Sequence, residues 1–204
     1  MAEQYFAADP SVGHDERVIQ YRVGETSLRL TTDRGVFSRQ RVDYGSGVLL
    51  EQMATLTFPA AGILDVGCGY GPLGLFVASW WPEQTVDLVD VNHRSLALAQ
   101  KNAELNGIHN VNIYESDGYE QIPVDRKFGL IVTNPPIRAG KQVVTRILHD
   151  SHQFLVAGGS LLVVIQKKQG EPSARRELLA IFGHCEILAR DKGYYVLRAV
   201  KSAE

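Results

Sequence analysis

Gly62-Ile63-Leu64-Asp65-Val66-Gly67-Cys68-Gly69-Tyr70-Gly71 is the segment on which the architecture of this chain turns. A short apolar run ends in an acid and then in glycines at alternate positions. The run reads as a buried strand, and the glycines read as a tight turn into a helix that Pro72 opens. Gly67, Gly69 and Gly71 give up side-chain packing and permit positive φ, so a ligand can approach bare backbone. A dinucleotide fingerprint would put two residues between its second and third glycines and would lack the acid two positions before the first. Asp65, at the carboxyl end of the strand, faces the crevice in which α/β sheets bind ligands. The competing role for Asp65 is a cap on the following helix.

Two further strand ends repeat the pattern. A strand over 85–90 closes on Asp90, about twenty residues beyond the loop, where doubly wound folds set a carboxylate on the ribose hydroxyls of an adenosine-containing cofactor. Two neighbouring hydroxyl donors suit a bidentate carboxylate. Val91 follows, and Asn92 caps a helix over 93–106 that Gly107 closes. A strand over 111–115 leads to Ser116-Asp117-Gly118. Asp117 either accepts from an adenine exocyclic amine or shapes the turn. A strand over 127–133 then delivers Asn134-Pro135-Pro136-Ile137. Proline fixes φ and has no N–H, so this is a rigid, extended loop with a single free amide at its head. The plainer alternative is a proline-rich turn between strand and helix.

The remaining elements alternate. Residues 1–16 lack periodicity and read as a tail; 18–23 and 27–32, around Gly24-Glu25-Thr26, read as a hairpin. A helix is expected over 46–56, a strand over 61–66 and a helix over 72–80. Beyond the Asn-Pro-Pro loop come a helix over 140–156, a strand over 159–165 and a helix over 172–182. Strands over 184–190 and 193–200, joined by Asp191-Lys192-Gly193, must be antiparallel, since parallel neighbours need a long crossover. The expected division is an extension over 1–45, with the hairpin and a loop, and a main domain over 46–204.

Taken together, these motifs resemble a class I S-adenosylmethionine (SAM)-dependent methyltransferase. More narrowly, the chain is similar to the methyltransferase small domain family, which includes the ribosomal RNA guanine-N2 methyltransferases of the small subunit. The resemblance rests on Gly35-Val36-Phe37-Ser38, Asp43-Tyr44-Gly45-Ser46, Asp65 to Gly71, Asp90, Asn134 to Ile137, and Val164-Ile165-Gln166 to Gly170. It implies a Rossmann-like, mostly parallel seven-stranded sheet with one antiparallel strand, preceded by a small hairpin extension. It also implies SAM as cofactor, with Phe37 and its neighbours as a lid. The expected cofactor set is Asp65, Gly67, Cys68, Gly69, Gly71, Asp90, Val91, Asn92, Asp117, Gly118, Asn134 and Phe37, with Asp65 near the methionine end. Many amino-methyltransferases carry an aromatic residue after Asn-Pro-Pro; here Ile137 stands in that place.

Asn-Pro-Pro suits a planar NH2 target. Conjugation withdraws the lone pair of such a nitrogen. If the Asn134 side-chain oxygen and the Pro135 carbonyl each accept one N–H, that lone pair can be aimed at the methyl group. Asn134, Pro135, Pro136 and Ile137 are therefore the expected catalytic loop. The leading reading is methylation of an exocyclic amine of RNA, with guanine N2 of small-subunit ribosomal RNA drawn from the resemblance. Protein glutamine N5-methylation and a non-catalytic RNA-binding domain are the alternatives.

Charge and composition narrow the classes further. The 204 residues are 45% hydrophobic with a net charge of −2, which argues against a wholly basic nucleic-acid binder. Basic residues are nevertheless placed beside strand ends. Arg138 and Lys141 follow the Asn-Pro-Pro loop, and Lys167 and Lys168 follow the 159–165 strand. These four are the expected RNA-facing rim, joined by Arg34, Arg39 and Arg41; an ordinary solvated surface is the alternative. No apolar run reaches the ~18 residues of a membrane span, and Met1-Ala2-Glu3-Gln4 lacks the basic and apolar regions of a signal peptide, so a cytoplasmic enzyme is expected. The two cysteines and six histidines show no metal-ligand spacing. Cys68 is expected to contribute backbone rather than sulfur chemistry, and His149 and His152 to be surface or packing residues.

Overall fold

The computed structural model describes residues 7–202. A hairpin, β1 (Arg17–Val23) and β2 (Thr26–Thr32), precedes α1 (Tyr44–Met53). Then come β3 (Ile63–Val66), α2 (Pro72–Trp80), β4 (Val86–Asp90), α3 (His93–Leu105), β5 (Val111–Glu115) and β6 (Phe128–Thr133). The chain continues through α4 (Lys141–Phe154), β7 (Leu155–Gln166), α5 (Glu171–Phe182), β8 (Glu186–Asp191) and β9 (Tyr194–Val200). The seven-stranded sheet has the order β5-β4-β3-β6-β7-β9-β8. β9 alone runs against its neighbours, β7 and β8, so the expected class I arrangement is present.

The strands read as near-continuous apolar runs because both faces are covered. Ile63, Leu88, Leu130, Leu162 and Val196 point to one side, where they pack with Leu28 and Leu30 of the hairpin, Leu49 of α1 and Phe76 of α2. Leu64, Val89, Ile131, Val163 and Leu197 point to the other, against Ile147 and Leu148 of α4 and Leu178 of α5. Burying each such side chain contributes about 1.5–3 kcal/mol. The hairpin thus shares its core with the sheet, and Trp80 Nε1 donates to Thr26 Oγ1 at 2.9 Å.

β3 and β6 pair in parallel at the centre of the sheet. Gly129 N donates to Gly62 O at 2.9 Å at one end of this pair, and Thr133 Oγ1 donates to Val66 O at 2.8 Å at the other. A side chain at Gly129 would run into the Pro59 carbonyl, 1.8 Å from an added Cβ.

Three expectations are corrected. α1 begins at Tyr44 and not at 46, because the Asp43 carboxylate caps it, accepting from Ser46 N at 3.2 Å. β7 follows α4 with no intervening loop. Leu155 is already extended, and the register with β6 then shifts between Phe128 and Leu130, which absorbs the Gly158-Gly159 pair. The expected tail over 1–16 lies outside the described residues for 1–6, but 7–16 are docked. His93 N donates to Ala8 O at 2.9 Å, and Arg94 Nη2 reaches Pro10 O and Val12 O at 3.3 and 2.8 Å. The buried Asp33 carboxylate accepts from Asp15 N and bonds His14 Nδ1, both at 2.5 Å. Among the described residues no helix is long and apolar enough to cross a membrane.

Candidate active site

The loops that leave β3, β4, β5 and β6 converge at the carboxyl edge of the sheet around a cavity of about 330 Å³. Gly67, Cys68 and Gly69 form one wall, Asp90 and Val91 another, and Asp117 and Gly118 a third. Asn134, Pro135 and Pro136 face them, and Phe37 stands at the mouth, 40% exposed. Gly67 and Gly69 adopt φ of +73° and +57°, and a Cβ built on either meets nothing within 4 Å. Their bare backbone therefore borders open space rather than packed protein.

The two strand-end acids differ in their surroundings. Asp90 is half-buried on the wall, and its Oδ2 accepts from Gly69 N at 2.8 Å while Oδ1 accepts from Asn92 N at 2.9 Å. Burial raises its pKa, and the N–H groups of Asn92, Gly69 and Val91 oppose that rise. Each oxygen keeps a lone pair for a further donor. Asp65 is wholly buried behind the glycine loop and does not form part of the wall. Its Oδ2 accepts from Gly74 N at 2.8 Å, in the first turn of α2, where the cap residue Gly71 has no side chain to offer. Among the described residues its Oδ1 has no hydrogen-bond partner. Burial, against the Gly74 bond and reinforced by the charge of Asp90, pushes the Asp65 carboxyl up to about 7. The Cys68 thiol is pushed well up by burial and held neutral.

Several expected site residues occupy supporting positions. Gly71 sits behind the wall as the N-cap of α2. Asn92 is fully buried: its Oδ1 caps α3 through Ser95 N at 2.9 Å, and its Nδ2 donates to Gly35 O at 3.0 Å, tying α3 to the Phe37 loop. Asp117 is on the wall but also pairs through Oδ1 with Arg146. Ile137 opens a short 3-10 turn, Ile137–Ala139, and packs against the α4 side of the core; Ala139, Val143 and Ile147 line the cavity in its stead. Arg138, Lys141, Lys167 and Lys168 are exposed on the segments that follow β6 and β7 and do not line the cavity. Arg34 and Arg39 turn to Asp15 in the docked N-terminal segment instead of joining that rim.

Ser38, Asp43, Ser46, Tyr70, Leu73, Ser95 and Ser116 also line the cavity. Asp43 and Ser46 meet Asn134 there: its Nδ2 donates to Asp43 Oδ2 and to Ser46 Oγ, both at 3.0 Å. The Asp43-Tyr44-Gly45-Ser46 stretch drew notice in the sequence only through the family resemblance. Its contact with Asn134 joins positions far apart in the chain and leaves no local signal.

A sequence model of the methyltransferase small domain matches residues 27–198, and the chain belongs to that family. It is 44% identical over 201 residues to the uncharacterized protein YbxB of Bacillus subtilis, covering 98% of this chain and 100% of that one. It is 34% identical over 179 residues to ribosomal RNA small subunit methyltransferase C of Hahella chejuensis, covering 86% of this chain and 50% of that one. Among solved structures, the T. thermophilus 16S rRNA N2 G1207 methyltransferase, in complex with AdoMet and guanosine, superposes with a TM-score of 0.81 at 27% identity. That match covers 91% of this chain and 50% of the other. The chain thus spans about half the length of both RNA methyltransferases.

Proposed function

We propose that this protein transfers a methyl group from SAM to an exocyclic amine of RNA, with guanine N2 of small-subunit ribosomal RNA as the target. The observation that carries the reading is the Asn134 carboxamide on the cavity wall, whose nitrogen is engaged by Asp43 and Ser46 so that its oxygen is left to accept from a substrate. The relatives named for ribosomal RNA methylation support the choice of RNA.

SAM is the methyl donor, and when bound it supplies an activated methyl group on a sulfonium centre. The residues present suit it. Gly67 and Gly69 border open space, Asp90 offers lone pairs suited to ribose hydroxyls, and Asp65 Oδ1, which no described residue bonds, leaves an acceptor behind the loop. Asn134 Oδ1 and the Pro135 carbonyl accept the two N–H groups of the target and hold its plane. Pro135 has no N–H to compete, and its ring limits loop movement. This is catalysis by orientation and preorganised dipoles. No strong base is needed, because the methylated nitrogen is acidic enough to lose its proton to solvent.

The test is incubation with methyl-labelled SAM and, in parallel, ribosomal RNA, assembled small subunits and peptide release factors. Label in RNA, mapped to guanine N2, is the expected result. Label in a release factor would move the assignment to glutamine. Asn134→Ala should keep SAM affinity while single-turnover transfer falls by about a hundredfold; transfer at the wild-type rate would remove Asn134 from this role.

A further inference from the structure

Asn134 does not hold its own orientation. A carboxamide can rotate by half a turn and present either its oxygen or its nitrogen, with little change of shape. Here the choice is made by its neighbours. A carboxylate only accepts, so the edge of Asn134 that faces Asp43 must be the NH2 edge. The second contact of that nitrogen is the Ser46 hydroxyl oxygen. With both N–H groups engaged, Oδ1 is all that Asn134 has left to offer, and no described residue donates to it.

The two partners are themselves fixed. Asp43 caps α1 through Ser46 N, and Gly47 N donates to the Asp43 carbonyl at 3.0 Å. Gly45 lies so close to Tyr194 of β9 that an added Cβ would stand 2.7 Å from its ring. The first turn of α1 is therefore seated on the sheet, and the Asp43 carboxylate and Ser46 hydroxyl arrive at Asn134 as a rigid pair.

We propose that Asp43 and Ser46 are positioning residues that lock the Asn134 carboxamide with its oxygen toward the cavity, restricting the site to methyl-accepting groups that carry an N–H. This rests on the reading of Asn134 as the residue that orients the target amine. An NH2 group meets a fixed hydrogen-bond acceptor. A carboxylate, or a ring nitrogen without hydrogen, meets an oxygen that repels its lone pair. Selectivity for amines over such groups is thus set one layer behind the residue that touches the substrate.

A donor–acceptor swap tests the lock. Asp43→Asn keeps a good helix cap but offers Asn134 both a donor and an acceptor, so the carboxamide loses its fixed sense. It should lower kcat by about tenfold to a hundredfold with SAM affinity nearly unchanged. Asn134→Asp places two carboxylates together and should lower kcat as well. The double variant, Asp43→Asn with Asn134→Asp, restores a donor at 43 and an acceptor oxygen at 134, and should recover about tenfold over Asn134→Asp alone. Wild-type kcat in Asp43→Asn, or a double variant no better than Asn134→Asp, would overturn the proposal.

A second readout does not depend on the substrate. The side-chain NH2 resonance of Asn134, identified by its loss in Asn134→Asp, should exchange slowly with water in the wild type and faster in Asp43→Asn. Exchange at the solvent rate in the wild type would overturn the lock. A wild-type protein that methylates no RNA while this resonance stays protected would overturn the RNA reading and support the lock.

Discussion

Asp65 and Asp90 close adjacent strands, yet their hydrogen-bond partners give them different chemistry. Asp90 stands on the cavity wall with both oxygens bonded to backbone N–H groups, which oppose the rise in pKa that burial imposes. Asp90→Ala should therefore weaken SAM binding by roughly 1.5–3 kcal/mol, or about one to two decades, measured by isothermal titration. Asp65, with one N–H and one orphan oxygen, has its pKa raised to about 7. An unfolded aspartate titrates near ~3.9, so between these values the folded state holds a proton that the unfolded state has lost. Its contribution is fully present below about pH 4 and is lost as pH rises through about 7. Asp65→Asn should then gain melting temperature over the wild type at pH 8, by several degrees, and much less at pH 5. An equal gain at both pH values would contradict the raised pKa. Both acids were legible in sequence as the polar ends of apolar runs. Which oxygen each would spend was not, because Gly74 N reaches Asp65 only once α2 docks.

Among elements, the N-terminal segment 7–16 departs furthest from its sequence pattern. It carries no period because it is held by single tethers rather than by a repeating face. Arg94 provides two of them, donating to the carbonyls of Pro10 and Val12, and donates as well to the carbonyl of Arg34. It thereby links this segment to the loop that carries Phe37. Arg94→Ala should destabilise the fold by about 1–3 kcal/mol. In hydrogen exchange read by mass spectrometry, faster exchange should concentrate in 8–15 and 34–38, with β6 and β7 unaffected. Uniform protection would mean that Arg94 carries little of this link. By contrast, the strands and helices from β3 onward were readable almost to their ends. Alternation of apolar runs with turn residues specifies a buried parallel sheet, whereas the abrupt passage from α4 into β7 depends on a register shift that only the paired strands define.

On the scale of the whole molecule, the net charge is −2, yet the segments that follow β6 and β7 expose Arg138, Lys141, Lys167 and Lys168. If Lys141, Lys167 and Lys168 contact phosphates, neutralising all three should leave SAM affinity unchanged and flatten the slope of log K for RNA against log salt by about 2 units. An unchanged slope would return them to ordinary surface. The cavity itself straddles the pairing of β3 with β6: β4 and β5 lie beyond β3 on one side, and β7, β9 and β8 lie beyond β6 on the other. Pairings between distant segments carry a loop-closure cost and form slowly. A chain caught before that closure owns the glycine loop or the Asn-Pro-Pro loop but not the two face to face. The two loops therefore meet only when β3 and β6 are paired, and a ligand lying across the seam would act as a staple that opposes its reopening.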